Sequence, residues 1–143
     1  MKTLKLLFAL LIVIAFNACK KDSSTAPPPT EINGSIEPAL TTGTWRVGLF
    51  NDNGTDKTDK FLNFDLTFDK SGIATAKNDS VTFIGSWWSS NESGHLKLNL
   101  DFVNDGSFED LTHDWSIIQQ SITQIQMSHS SGDKLTLNKN LIK

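Results

Sequence analysis

The chain has 143 residues, with 13 basic and 16 acidic side chains, 38% hydrophobic residues and one cysteine. A single cysteine excludes an intramolecular disulfide and a cysteine-cluster metal site. The acidic balance argues against nucleic acid as a partner, which needs a basic face, and the length allows one domain with a core of modest size.

The first residues divide into three parts. Lys2 and Lys5 give a positive start, which the negative inner face of a membrane holds back during export. Leu6 to Phe16 follow as an unbroken apolar run. That run falls short of the roughly 20 residues a helix needs to cross about 30 Å of hydrocarbon, and it matches the apolar region of an export signal. Phe16-Asn17-Ala18-Cys19 then sets a small residue directly before the cysteine. The segment resembles a bacterial lipobox, so residues 1–18 are the expected signal peptide and Cys19 the expected site of lipid attachment. Two or more acyl chains, at about 0.8 kcal/mol per buried CH₂, make a stable anchor; the expected partner of the N-terminus is therefore a membrane. Lys20 stands where many inner-membrane lipoproteins carry aspartate, which points to the outer membrane, on its periplasmic face or at the cell surface. Cleavage would take Lys2 and Lys5 away, so the 13 basic residues fall to 11 against 16 acidic, a formal charge of −5.

Residues 19–41 read as a flexible linker. Pro27-Pro28-Pro29 favours extended polyproline II, a spacer that lifts a domain off a bilayer. Pro38 argues against a helix through Ile32, Ile36 and Leu40.

From residue 42 to residue 143 the pattern is β throughout. Trp45 to Phe50 opens it. Leu62, Phe64, Leu66 and Phe68 then alternate with polar residues, and Ile73 to Lys77 follows. Phe83, Gly85 and Trp87 alternate with Ile84, Ser86 and Trp88. The clearest alternation is Leu96, Leu98, Leu100 and Phe102 against His95, Lys97, Asn99 and Asp101. Trp115 to Ile118, Ile122 to Ser128 and Leu135 to Leu137 complete the set. A period of two with one apolar face predicts half-buried antiparallel strands. Turn-forming residues separate them, as in Asp69-Lys70-Ser71-Gly72, Asn91-Glu92-Ser93-Gly94 and Ser131-Gly132-Asp133. No helical stripe of ten residues interrupts the series. The predicted fold is all-β, an eight-stranded antiparallel up-and-down barrel, whose closure removes exposed strand edges.

Gly43-Thr44-Trp45 matches the G-x-W motif that opens the first strand of lipocalins. Phe64-x-Leu66-x-Phe68-Asp69-x-x-Gly72, Gly85-x-Trp87, Leu96-x-Leu98-x-Leu100, Trp115-x-Ile117 and Leu135-x-Leu137-x-Lys139 follow in order. On these residues the domain resembles the compact lipocalin-like barrels of bacterial lipoproteins. The resemblance implies a floor of Gly43 and Trp45 closed by a basic side chain of the last strand. Lys139 takes that role here, because the single arginine, Arg46, adjoins Trp45 and points to the other face. Neither an N-terminal helical turn nor a long C-terminal helix is legible.

An eight-stranded barrel holds packed side chains or one small ligand, and the sequence leaves both open. Phe64, Phe68, Phe83, Trp87, Leu98, Phe102 and Trp115 are the expected lining of a ligand site. Trp88 and Ile84, on the opposite face, form a candidate surface patch. No nucleophile elbow, phosphate loop or Cys/His arrangement is present, so no catalytic residue and no cofactor is expected. His95, His113 and His129 lack the i,i+2 or i,i+4 spacing of paired ligands and read as surface residues, so no metal is expected. Residues 51–59 have oxygen ligands at calcium-like density but lack the late bidentate glutamate, and read as a hairpin loop. Glu109, Asp110 and Asp114 read as loop acids. The sequence therefore predicts a monomeric, non-catalytic, lipid-anchored module that binds a small apolar ligand at the barrel mouth. The alternative is an envelope protein with a filled barrel that meets a protein or glycan, an attacking hydrolase included, on its outer surface.

Overall fold

A computed structural model of the chain describes residues 34–102 and 106–141; the expected signal peptide, Cys19 and most of the expected linker lie outside them. The alternating segments form nine strands: β1 (Trp45–Asp52), β2 (Thr55–Asp56), β3 (Asp65–Phe68), β4 (Ile73–Lys77), β5 (Thr82–Glu92), β6 (His95–Asp101), β7 (Asp114–Gln120), β8 (Gln124–Ser128) and β9 (Lys134–Lys139). From β3 to β9 each strand pairs antiparallel with the next, and β1 closes the cylinder between β3 and β9. Eight strands make the barrel. β2 adds only a two-residue hairpin to the end of β1.

The closure is uneven. β1 shares six register pairs with β9, from Trp45↔Lys139 to Asn51↔Lys134, but one with β3, Trp45↔Leu66. The Arg46 guanidinium crosses that weak seam to the Asp65 carboxylate, Nε to Oδ1 at 2.8 Å. Both side chains are about half exposed, so solvent screening keeps the bridge modest, ~1 kcal/mol or less.

Short helical pieces stopper both ends. At the Trp45 end, α1 (Glu37–Leu40) lays Ile36 and Leu40 beneath the strands, both fully buried. Pro38 stands in its first turn, where the missing N–H would have had no helical partner, so it starts this helix rather than forbidding it. The packed domain thus begins before the boundary expected at residue 42, and it has the N-terminal helical turn that the sequence did not show. At the other end, 3-10 turns at Thr58–Phe61 and Gly106–Leu111 insert Phe61, Phe108 and Leu111. The first turn breaks the alternation expected from residue 61, leaving Leu62 exposed.

Aromatic rings fill the space between the stoppers. Phe108 packs against Phe61, Phe64, Phe83 and Phe102 with centroids 4.9 to 5.4 Å apart. Phe50 meets Phe61 at 5.3 Å and Trp115 at 6.4 Å, and Phe68 meets Trp87 at 6.0 Å. These are ordinary separations for edge-on and tilted ring pairs. Gly85 makes room for one of them: a Cβ there would lie 2.6 Å from Cδ1 of Phe102.

Candidate functional site

The residues expected to line a ligand chamber are placed in this core. Phe64, Phe68, Trp87, Leu98, Phe102 and Trp115 are buried and Phe83 is partly buried, and their neighbours are one another and the stoppers. Between a hollow and a filled barrel, the interior is filled. Phe61 and Phe108 carry much of that filling. Sequence reasoning missed their role because a 3-10 turn of four to six residues has no periodicity to read.

The floor assembles around Trp45. Its indole N–H donates to the Leu40 carbonyl at 2.9 Å, tying β1 to α1. Lys139 Nζ lies 5.3 Å from the centre of the same indole. Gly43 has φ +75°, and a Cβ there would come 3.1 Å from Cε of Lys139. A side chain at that position would therefore be strained and would crowd the lysine stem.

Of the concave places on the outside, two bear on the strands that carry the candidate residues. One is a cleft of about 610 Å³ between β6 and β7, at the α1 end. It exists because those strands pair only from Lys97↔Ser116 to Asn99↔Asp114, while each runs on towards its own hairpin. A bulge between Ile117 and Gln119 turns β7 further. Leu96 and Ile117, packed against the core, floor the cleft, and Ile118, 67% exposed, stands at its lip. Ser35, Ser89, Ser90, Asn91, His95, Gln119 and Gln120 bring hydroxyl, imidazole and amide groups to the rim. Sequence reasoning missed the cleft, because alternation says which face a residue takes but not where two strands part.

The other place, about 240 Å³, lies beside Trp88 and is walled by Asn99, Asp101, Thr112, His113 and Asp114. Trp87 and Trp88 divide as alternation predicts, 6% and 51% exposed, and Ile84 is 65% exposed on the outer face. The Trp87 indole donates to the Asp69 carbonyl at 2.9 Å.

The acidic loops satisfy themselves. Asp52 pairs with Lys57, and Asp56 accepts from the Thr58 amide and hydroxyl; each contact holds its carboxyl below the usual carboxylate range. Asp110 pairs with Lys60. Lys97 bridges Asp114 at 2.6 Å and Glu92 at 2.8 Å. The Lys97 ammonium in turn holds the Asp114 carboxyl low.

The histidines depart from expectation. His95 stays exposed on its own hairpin, but His113 and His129 stack, ring centroids 4.3 Å apart, and Asp133 lies beside them. Burial, followed by the neighbouring His129, lowers the pKa of His113. Three metal-competent side chains therefore meet at residues whose spacing along the chain predicts no site.

No protein-family model and no curated protein matches the chain. Among solved structures, a DUF4847 family protein from Bacteroides vulgatus superposes with a TM-score of 0.53 at 14% identity, over 76% of this chain and all of that one. A lipocalin-like protein from Bacteroides uniformis gives a TM-score of 0.49 at 19% identity, over 71% of this chain and 99% of that one. A protein from Burkholderia xenovorans gives 0.46 at 21%, over 86% and 99%. At these identities the likeness is one of fold. The chain's own geometry, a closed eight-stranded antiparallel up-and-down barrel, is the fold that the lipocalin-like resemblance implied.

Proposed function

We propose that this chain is a non-catalytic, lipid-anchored binding protein of the outer membrane that takes a small amphipathic molecule in the β6–β7 cleft. The anchor rests on the export signal and on Cys19, the one cysteine, which has no partner within the chain. The observation that carries the binding reading is the cleft itself. It has a volume in the range of small-molecule sites, an apolar floor and a rim of hydroxyls and amides. The filled interior moves the ligand expected at the barrel mouth out of the barrel and onto its side. An apolar segment would lie on Leu96 and Ile117, and a polar head would reach the rim.

A second reading is favoured by one observation, the exposed Trp88 with Ile84 nearby on the same outer face. There a flat ring edged by Asn99, Thr112 and Asp114 suits a glycan or a polar protein surface.

Titrating the full chain with an environment-sensitive apolar dye separates the two. Saturable enhancement that Ile118→Asp abolishes and Trp88→Ala leaves intact supports the cleft. Absence of enhancement sinks it. Loss of glycan or protein capture in Trp88→Ala alone, at unchanged melting temperature, supports the second reading. The anchor has its own test, since palmitate label on a Cys19→Ala chain would overturn it.

A further inference from the structure

The end of the barrel away from α1 gathers His113, just before β7, His129, just after β8, and Asp133, just before β9. One donor atom of each lies within 4.8 Å of the others. Ligands held about 2.0–2.2 Å from one ion stand roughly 3–3.5 Å apart, so side-chain rotations bring this set to bonding geometry without moving the strands.

The two imidazoles stack with ring centroids 4.3 Å apart, and one nitrogen of each stands within reach of the Asp133 carboxylate. Among the described residues no hydrogen bond occupies either ring nitrogen of His113.

The other two ligands are held by their own partners. The Asp133 carboxylate is buried, with one oxygen accepting the Asn53 amide at 2.8 Å and the other the Ser131 hydroxyl at 2.5 Å. Ser131 also lies 2.7 Å from His129 Nδ1 and is exposed, so its hydroxyl can swing away when an ion replaces it between imidazole and carboxylate. Asp114 Oδ1 stands 3.2 Å from His129 Nε2 on the other side of the ring. Asp52, Asp114 and Asp133 all bear on His113 as negative charges, against which stand Lys57 on Asp52 and Lys97 on Asp114.

We propose that His113, His129 and Asp133 bind one divalent transition-metal ion of the zinc class, with water completing the shell. Two imidazoles and a carboxylate suit zinc rather than calcium or magnesium, which prefer all-oxygen shells. The ion would tie the β6–β7 connection to the β8–β9 turn and, through the Asn53 amide, to the β1–β2 hairpin. It would also sit at the wall of the Trp88 hollow that His113 lines.

The test titrates Zn²⁺ into the full chain carrying Cys19→Ser, so that no thiol competes, in mild detergent at pH 7.5. Calorimetry gives the stoichiometry, and NMR follows the three histidine rings. The expected result is one ion per chain, with His113 and His129 resonances moving together and His95 still. The melting temperature should rise by about 10 °C at a hundredfold excess over the dissociation constant. His129→Gln and His113→Ala should each weaken binding roughly 100-fold. Millimolar Mg²⁺ should leave the resonances in place. Unmoved His113 and His129 rings, equal movement of His95, or undiminished binding in both variants would each overturn the proposal. The His129→Gln variant, which keeps a polar side chain at a partly exposed position, guards against a loss caused by misfolding.

Discussion

Replacing Phe108 by alanine tests whether the second 3-10 turn is a stopper or only a connection. The ring is fully buried and touches four other phenylalanines, from Phe64 at 4.9 Å to Phe102 at 5.4 Å. Burying such a side chain contributes roughly 1.5–3 kcal/mol by transfer alone. The cavity left among rigid barrel walls raises the cost of Phe→Ala to about 3–5 kcal/mol. The upper half of that range applies here, because the strands around the ring are hydrogen-bonded in a closed cylinder and cannot collapse inward. Of a total stability of about 5–15 kcal/mol, that is a large share. Urea unfolding followed by tryptophan fluorescence measures it. With a slope near 1.5 kcal/mol per molar, the midpoint should fall by about 3 M. The dry space should then accept benzene, raising the melting temperature of the variant and not of the parent. A loss below about 1.5 kcal/mol, with no response to benzene, would refute the filled-barrel reasoning.

Gly85→Ala should also destabilise, since a Cβ there would stand 2.3 Å from the Asp101 carbonyl oxygen, and backbone cannot step aside as a side-chain tip can. Overpacking of this kind costs about 1–3 kcal/mol, and an unchanged thermal midpoint would contradict the placement. Trp45→Phe removes the donor that satisfies the Leu40 carbonyl and weakens the Lys139 contact; the expected loss is roughly 2 kcal/mol in chemical denaturation. Asp69 should shape the acid limb of stability. Its carboxylate accepts the Ser71 hydroxyl and the Ile73 amide, which lower its pKa below 3.8 in the folded chain. The stabilisation is thus complete above the unfolded pKa and is lost as pH falls through the lower folded value. Asp69→Asn should flatten the melting-temperature profile below pH 4 and leave its slope at neutral pH unchanged.

Much of this fold was legible because a barrel writes its inside and outside into alternate residues. The run from His95 to Phe102 assigned its faces correctly, and the Trp87-Trp88 pair showed that one ring must be buried and the other exposed. What alternation could not carry were the pieces that follow another rule. Ile36 and Leu40 lie four apart, one helical turn, but a single turn is too short to stand out beside proline. Phe61 and Phe108 sit in 3-10 turns, where tertiary burial rather than periodicity fixes the conformation. The seam between β1 and β3 was equally hidden, since nothing in Asp65 or Arg46 alone says that one ion pair will stand where a ladder is missing.

The histidine cluster shows what kind of reading would have reached further. Searching for paired ligands at i,i+2 or i,i+4 covers one strand or one helix, and His113 and His129 are on neither. They flank the two strands of the β7–β8 hairpin, whose register places Ser116 opposite Ser128 and Gln120 opposite Ile125. In an antiparallel hairpin, residues nearly equidistant from the turn are neighbours however far apart they lie in sequence. Extending that ladder one step beyond Ser116 and Ser128 sets Trp115 opposite His129, with His113 its diagonal neighbour two residues along, and the β8–β9 turn folds Asp133 back to them through the His129 amide, which donates to the Asp133 carbonyl at 3.0 Å. Once a hairpin is assigned, the spacing that matters for a ligand pair is therefore a sum of residue numbers within about two of the ladder's own, which admits diagonal neighbours, and not a constant difference.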